Sequence, residues 1–184
     1  QAVHGWGGIV FHDVINQKFA HKAIEKGADG LILVAAGAGG HAGTLSPFAL
    51  VREVKQWFKG TILLSGAISD GWSIASALAL GADLAYIGTR FIATQEANAD
   101  VRYKQALTEH AAHDIVYSNL FTGVHGNYLR ASIAAASCRS ACCCAHWATP
   151  TRRCSTSSST STPSTSKPKA SSWSWCRSAC VARP

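Results

Sequence analysis

Residues 31–47, LILVAAGAGGHAGTLSP, set one titratable side chain, His41, in a stretch almost bare of other functional groups. An imidazole, with an unperturbed pKa of about 6.5, suits removal of an acidic carbon-bound proton near neutral pH. Gly37, Gly39, Gly40 and Gly43 around it let the backbone approach a ligand closely. The plainer reading, in which the imidazole only braces the loop, stays open on residue types alone. Two more side-chain-poor segments follow, Ser65-Gly66-Ala67 and Gly88-Thr89. Both can offer backbone N–H groups to a phosphate, helped by the positive end of the next helix, or can simply turn the chain. Arg90 can meet an anion or cap a sheet, and His125, in Thr122-Gly123-Val124-His125-Gly126-Asn127, reads first as a turn histidine.

These residues need elements to position them. Residues 31–36 form an apolar run with the length and branching of a strand buried on both faces, with His41 just past its carboxyl end. Residues 8–14, 61–65 and 84–88 read as further strands. Between them lie helical patterns over 18–26, over 47–58 with Phe48, Val51, Val54, Lys55 and Phe58 in register, and from about Ser73 to Leu80. Ser46 and Pro47 suit the N-cap and first position of the second helix, and Gly27 a left-handed end to the first. Gly27-Ala28-Asp29 and Gly81-Ala82-Asp83 echo each other, each joining a helix to a strand. Residues 97–111 look helical, and residues 115–136 begin as a strand and end in a helix from Asn127. Four strand–helix repeats with short links predict a parallel α/β sheet with right-handed crossovers. They make either a small open sheet or the last four units of a (β/α)8 barrel. In the barrel, the histidine loop and the two small loops follow strands six, seven and eight, and phosphate sites commonly follow the last two.

Composition divides the chain. All ten acidic residues lie between Asp13 and Asp114, and residues 1–130 balance them with ten Lys and Arg. The whole excess of +7 therefore comes from residues beyond 130, as do all seven cysteines. Nineteen of the last 48 residues are Ser or Thr, with no acidic residue among them, so two regions are expected: 1–136 globular and 137–184 a disordered tail, read as translated out of frame from near Ser137. Cys142, Cys143, Cys144 and His146 do not match zinc-ligand spacing, so no metal is expected. The tail is basic, but its few aromatics and lack of a basic stripe argue against a nucleic-acid partner. No run is apolar and long enough to span a bilayer and no signal peptide is apparent, so a cytoplasmic protein without a membrane partner is expected. The absence of methionine suggests a start inside a longer protein.

Ala38-Gly39-Gly40-His41-Ala42-Gly43, Leu64-Ser65-Gly66-Ala67, Ala79-Leu80-Gly81-Ala82-Asp83 and Gly88-Thr89-Arg90-Phe91-Ile92-Ala93-Thr94, in this order, resemble the nitronate monooxygenase family, formerly called 2-nitropropane dioxygenase. The resemblance covers about residues 8–136. It implies an FMN-binding (β/α)8 barrel that oxidises alkyl nitronates with O2 to a carbonyl compound and nitrite. It makes His41 the active-site base, sets Gly39 and Gly40 beside the flavin, and gives Ser65, Gly66, Ala67, Gly88 and Thr89 to its phosphate. In two places the chain departs from that pattern. His12-Asp13 stands where well-studied members carry a lysine after the strand, and Ala67 stands where they carry glycine. A flavin-dependent enoyl reductase is the neighbouring reading, and an inactive fragment a third.

Overall fold

The structure, a computed structural model, describes residues 2–137 and 180–182. Strand β1 (Phe11–Val14) leads through α1 (Gln17–Glu25) to β2 (Gly30–Val34), and a two-residue strand β3 (Gly40–His41) precedes α2 (Pro47–Trp57). Then come β4 (Thr61–Ser65), α3 (Gly71–Leu80), β5 (Leu84–Ile87), α4 (Thr89–Ile92) and α5 (Val101–Glu109). Strands β6 (Ile115–Ser118) and β7 (Gly126–Leu129), helix α6 (Arg130–Ser137) and strand β8 (Cys180–Ala182) complete the described elements.

Four strands run parallel in chain order, β1-β2-β4-β5, and β8 joins the outer edge of β5 antiparallel. Alternation sends Leu31, Leu33, Ile62, Leu64, Ala85 and Ile87 to one face, where they pack with Ala20 and Ala23 of α1, Leu50, Val51 and Val54 of α2, and Ala77 of α3. Ile32, Val34 and Leu63 face the other way, among Phe11, Leu84, Tyr86, Ala38 and Ala42. Helices α1 to α3 thus lie on one side only. A doubly wound sheet reverses its strand order and carries helices on both faces. Sequential order with one-sided helices is instead the arrangement of a barrel wall, although the described strands do not close into a barrel.

The repeated Gly-Ala-Asp has a structural cause. The Asp29 side chain accepts the Val10 N–H at 2.7 Å, while its own N–H donates to the Val10 carbonyl at 2.8 Å. Asp83 does the same to Ile62, at 2.8 Å for both bonds. Each aspartate therefore clamps the start of the preceding strand. His4 Nε2 lies 2.8 Å from Asp29 and Lys55 Nζ 3.2 Å from Asp83.

The Val10 N–H, then His4, hold the Asp29 carboxyl below its ordinary value. Asp70 is lowered by the Ser73 N–H and hydroxyl at the cap of α3, and Asp100 to about 2 by Arg102 at the cap of α5. With depressed pKa values in the folded chain, the unfolded chain binds more protons in acid, so stability rises with pH from about 2 to about 4 and levels off above. Thermal unfolding followed by circular dichroism should show this rise, and Asp29→Asn should make it shallower, with Asp70 and Asp100 still contributing. A variant curve parallel to the parent's would remove Asp29 from the effect.

Several expectations need correction. The first strand spans only Phe11–Val14, and residues 8–10, expected within it, belong to no regular element. In α2 the buried residues are Leu50, Val51 and Val54, while Phe48 is 65% exposed. Ser46 occupies the N-cap position without a side-chain bond. Helix α3 starts at Gly71, where Asp70 and Ser73 form a reciprocal capping box. The helix expected from Asn127 starts at Arg130, because Asn127 pairs within a strand. Cys180–Ala182, expected to lack structure, pair with β5; residues 138–179 and 183–184, including Cys142, Cys143, Cys144 and His146, lie outside the described residues.

Candidate active site

The loops leaving β2, β4 and β5 meet at the carboxyl end of the sheet. Parallel pairing of β2 with β4 carries on past the strands, with the Ala35 N–H donating to Ser65 at 2.8 Å. The Ala67 N–H then donates to the Gly37 carbonyl at 3.0 Å, joining the histidine loop to the second small loop. Gly39 reaches the third loop: a Cβ there would lie 2.3 Å from Thr89 Oγ1. Gly39, Ala67 and Thr89, which the family resemblance expects at the cofactor, therefore stand in one convergent cluster.

Close approach dictates the residue types. Gly66 has φ of +149°, and an added Cβ would lie 2.8 Å from the Ala36 carbonyl oxygen, which is backbone and cannot rotate away. Ala67 has φ of +53° and is the one non-glycine residue in the left-handed region among the described residues. That is the conformation glycine adopts without cost, so the turn accommodates alanine under strain of about 1–2 kcal/mol. Among the described residues the N–H groups of Gly66, Gly88 and Thr89 make no backbone hydrogen bond. Thr89 opens α4, so a phosphate bound here would meet unpaired donors.

His41 does not sit in an open loop. Its strand β3 pairs antiparallel with β7, Gly40 opposite Asn127 and His41 opposite Gly126. Asn127 Nδ2 donates to the Ala38 carbonyl at 2.8 Å, and the Tyr117 hydroxyl donates to the Ala42 carbonyl at 3.1 Å. The β6–β7 hairpin thus fixes both sides of the glycine run. The imidazole is exposed, with Nε2 3.2 Å from Thr122 Oγ1. Thr122, Tyr117 and Asn127 were missed as site residues in the sequence; they lie 75 or more residues from the groups they touch, with no local pattern to mark them. A groove of about 260 Å³ beside them is lined by Ala36, Gly37, Gly43, Thr44, Tyr117 and Asn127.

The remaining candidates make other contacts. His125 stacks on Tyr117 with ring centroids 5.2 Å apart, and its carbonyl accepts the Ala42 N–H at 3.3 Å, a bracing part. Arg90 is exposed on α4 and contributes to lowering the Asp70 carboxyl. His12 and Asp13 line an open groove of about 500 Å³ with Phe11 and Tyr86. By register Asp13 lies beside Ile32, on the face away from the helices, so a carboxylate occupies the strand where the resemblance anticipates an amine.

With this geometry in place, similarity to known proteins is informative. A family model described as nitronate monooxygenase matches residues 4–152. A nitronate monooxygenase of Paraburkholderia phytofirmans is 35% identical over 106 residues, 53% of this chain and 29% of the relative. A (3aS,4S,5R,7aS)-5-hydroxy-7a-methyl-1-oxo-octahydro-1H-indene-4-carboxyl-CoA dehydrogenase of Rhodococcus jostii is 30% identical over 118 residues, 64% of this chain and 33% of the relative. A solved nitroalkane oxidase of Streptomyces ansochromogenes superposes with a TM-score of 0.62 at 29% identity, covering 67% of this chain and 39% of that one. The chain thus spans about a third of the length of the curated relatives it matches.

Proposed function

The chain belongs to the nitronate monooxygenase family, a family of oxidoreductases, and from that premise we propose that residues 1–136 form the carboxyl-terminal half of an FMN-binding (β/α)8 barrel. The observation that carries this reading is the meeting of His41 and the three small loops at one end of a sequentially ordered parallel sheet. In the complete barrel these segments line the mouth where barrel enzymes hold their ligands. FMN, when bound, supplies the redox chemistry that converts a nitronate and O2 to a carbonyl compound and nitrite. The chain's own residues bind and orient. Gly66, Gly88 and Thr89 offer N–H groups to the phosphate, while Gly39 and Gly40 let the backbone lie against the flavin. His41 takes the proton from the carbon next to the nitro group.

Titration of the chain with FMN tests the cofactor assignment through quenching of flavin fluorescence. Gly88→Asp is a sharp variant, because a Cβ at Gly88 meets nothing within 4 Å and the fold should accept it. Its carboxylate would face the phosphate, so binding should weaken by at least about tenfold, the size of a like-charge contact near a protein surface. Unquenched fluorescence with the parent chain would remove FMN from this reading.

A second reading has its own support. The Rhodococcus jostii relative is named as a dehydrogenase of a carboxyl-CoA compound, and Leu120, Phe121 and Val124, exposed apolar residues, flank Thr122 beside His41. Those side chains suit a substrate with a large apolar body better than a short nitroalkane. A requirement for a nicotinamide cofactor in place of O2 would favour it.

A further inference from the structure

We infer that Thr122 is a positioning residue that holds His41 as its Nε2–H tautomer, leaving Nδ1 as the nitrogen that accepts the proton. The inference rests on the proposed role of His41 as base and adds which nitrogen does the work. A threonine hydroxyl has one hydrogen to give. Thr122 Oγ1 lies 3.0 Å from the Val124 carbonyl oxygen, which can only accept, so that hydrogen is committed there. Three further polar groups approach the same oxygen, the Tyr128 hydroxyl at 3.2 Å, His41 Nε2 at 3.2 Å and, at a longer 3.4 Å, the Val124 N–H. With its hydrogen already used, Thr122 Oγ1 can only accept, and its two lone pairs serve the two nearer groups ahead of the longer amide contact. Tyr128 therefore donates, and so does His41, which places the imidazole hydrogen on Nε2.

The consequence is chemical. A neutral imidazole has one basic nitrogen, and the bond made by the other decides which one it is. Nδ1 has no hydrogen-bond partner among the described residues, so its lone pair is available to a substrate. The same bond serves after proton transfer, because the imidazolium keeps its Nε2–H and Thr122 continues to accept it. Thr122 does not touch the substrate's reacting carbon in this scheme. It acts through the ring it orients, and the hairpin that carries it also binds the main chain on both sides of His41 through Asn127 and Tyr117.

The test is nitrogen-15 NMR of the histidine rings in the 184-residue chain, with His41 identified by its absence in His41→Asn. With the imidazole in its neutral form, the parent should show a protonated Nε2 and an unprotonated Nδ1, with shifts at the limits for that tautomer. Thr122→Val should move both shifts toward intermediate values, as the ring samples both tautomers. Thr122→Ser should restore the parent values. Tyr128→Phe should leave them in place, because Thr122 still accepts from His41. A protonated Nδ1 in the parent, or parent shifts retained in Thr122→Val, would overturn the inference. If Thr122→Val does not fold, the parent and serine spectra still decide, since the parent tautomer alone can contradict it. Turnover plays no part in this readout, so failure of His41 as the base would show in kinetics while the tautomer result stood.

Discussion

Replacing His41 by alanine in a full-length, FMN-loaded enzyme carrying this segment is expected to lower turnover of a neutral nitroalkane by roughly 10²–10⁴-fold, the contribution of a positioned base. The same enzyme should bind FMN as before, because the proposed phosphate donors belong to the Ser65–Ala67 and Gly88–Thr89 loops. Turnover of a preformed nitronate should fall far less, since its proton has already gone. This asymmetry separates a base from a residue that shapes the loop. His41 is also part of a strand pairing, opposite Gly126, but that pairing uses backbone groups that alanine retains. The side chain itself makes one bond, to Thr122 on an exposed loop, so its removal should disturb the fold little. Steady-state rates with both substrates, read beside the flavin content, check the prediction. Equal losses on both substrates together with weakened FMN binding would return His41 to a structural part.

How much of the candidate site could be read from sequence follows from how local each part is. The three small loops announce themselves because each lies directly after an apolar run and before a helical pattern. Their convergence follows from parallel pairing, which aligns the ends of β2, β4 and β5. The partners of the histidine loop are different in kind. Asn127 reaches Ala38 across 89 residues and Thr122 reaches His41 across 81, through a hairpin whose turn sequence resembles any glycine-containing loop. The same blindness explains why Asn127 was expected to begin a helix. The alanines that follow favour helix intrinsically, and the antiparallel partner that keeps Gly126–Leu129 extended lies in β6 and β3.

Strand positions were more legible than helix faces. Residues 61–65 were expected as a strand and are one, because a buried strand between two helices leaves an uninterrupted apolar run with glycine on each side. The Gly-Ala-Asp echo was visible as a repeat, but its meaning needed coordinates, since each aspartate binds the strand before its own. The face of α2 was read correctly at Val51, Val54 and Phe58 but not at Phe48. Phe48, Val51, Val54, Lys55 and Phe58 do follow helical spacing, but Leu50 extends the true stripe the other way, and residue size drew the reading toward Phe48.

That difference makes a stability prediction with opposite outcomes for two neighbouring residues. Leu50, Val51 and Val54 are all 0% exposed, between α1, β2 and β4 in the larger cluster, so truncating Leu50 empties a volume no solvent can fill. Leu50→Ala should cost about 2–5 kcal/mol, from lost transfer energy and the cavity left behind. Phe48, 65% exposed at the second position of the helix, has little apolar area to lose. Phe48→Ala should therefore stay within about 0.5 kcal/mol of the parent, the range of surface substitutions. Alanine also fits both helix positions at least as well as the residue it replaces, so helix propensity cannot account for the contrast. Urea unfolding of the two variants measures it directly. A Phe48→Ala loss matching or exceeding that of Leu50→Ala would mean that α2 turns the other face to the sheet, and with it the one-sided core from which the barrel wall is inferred.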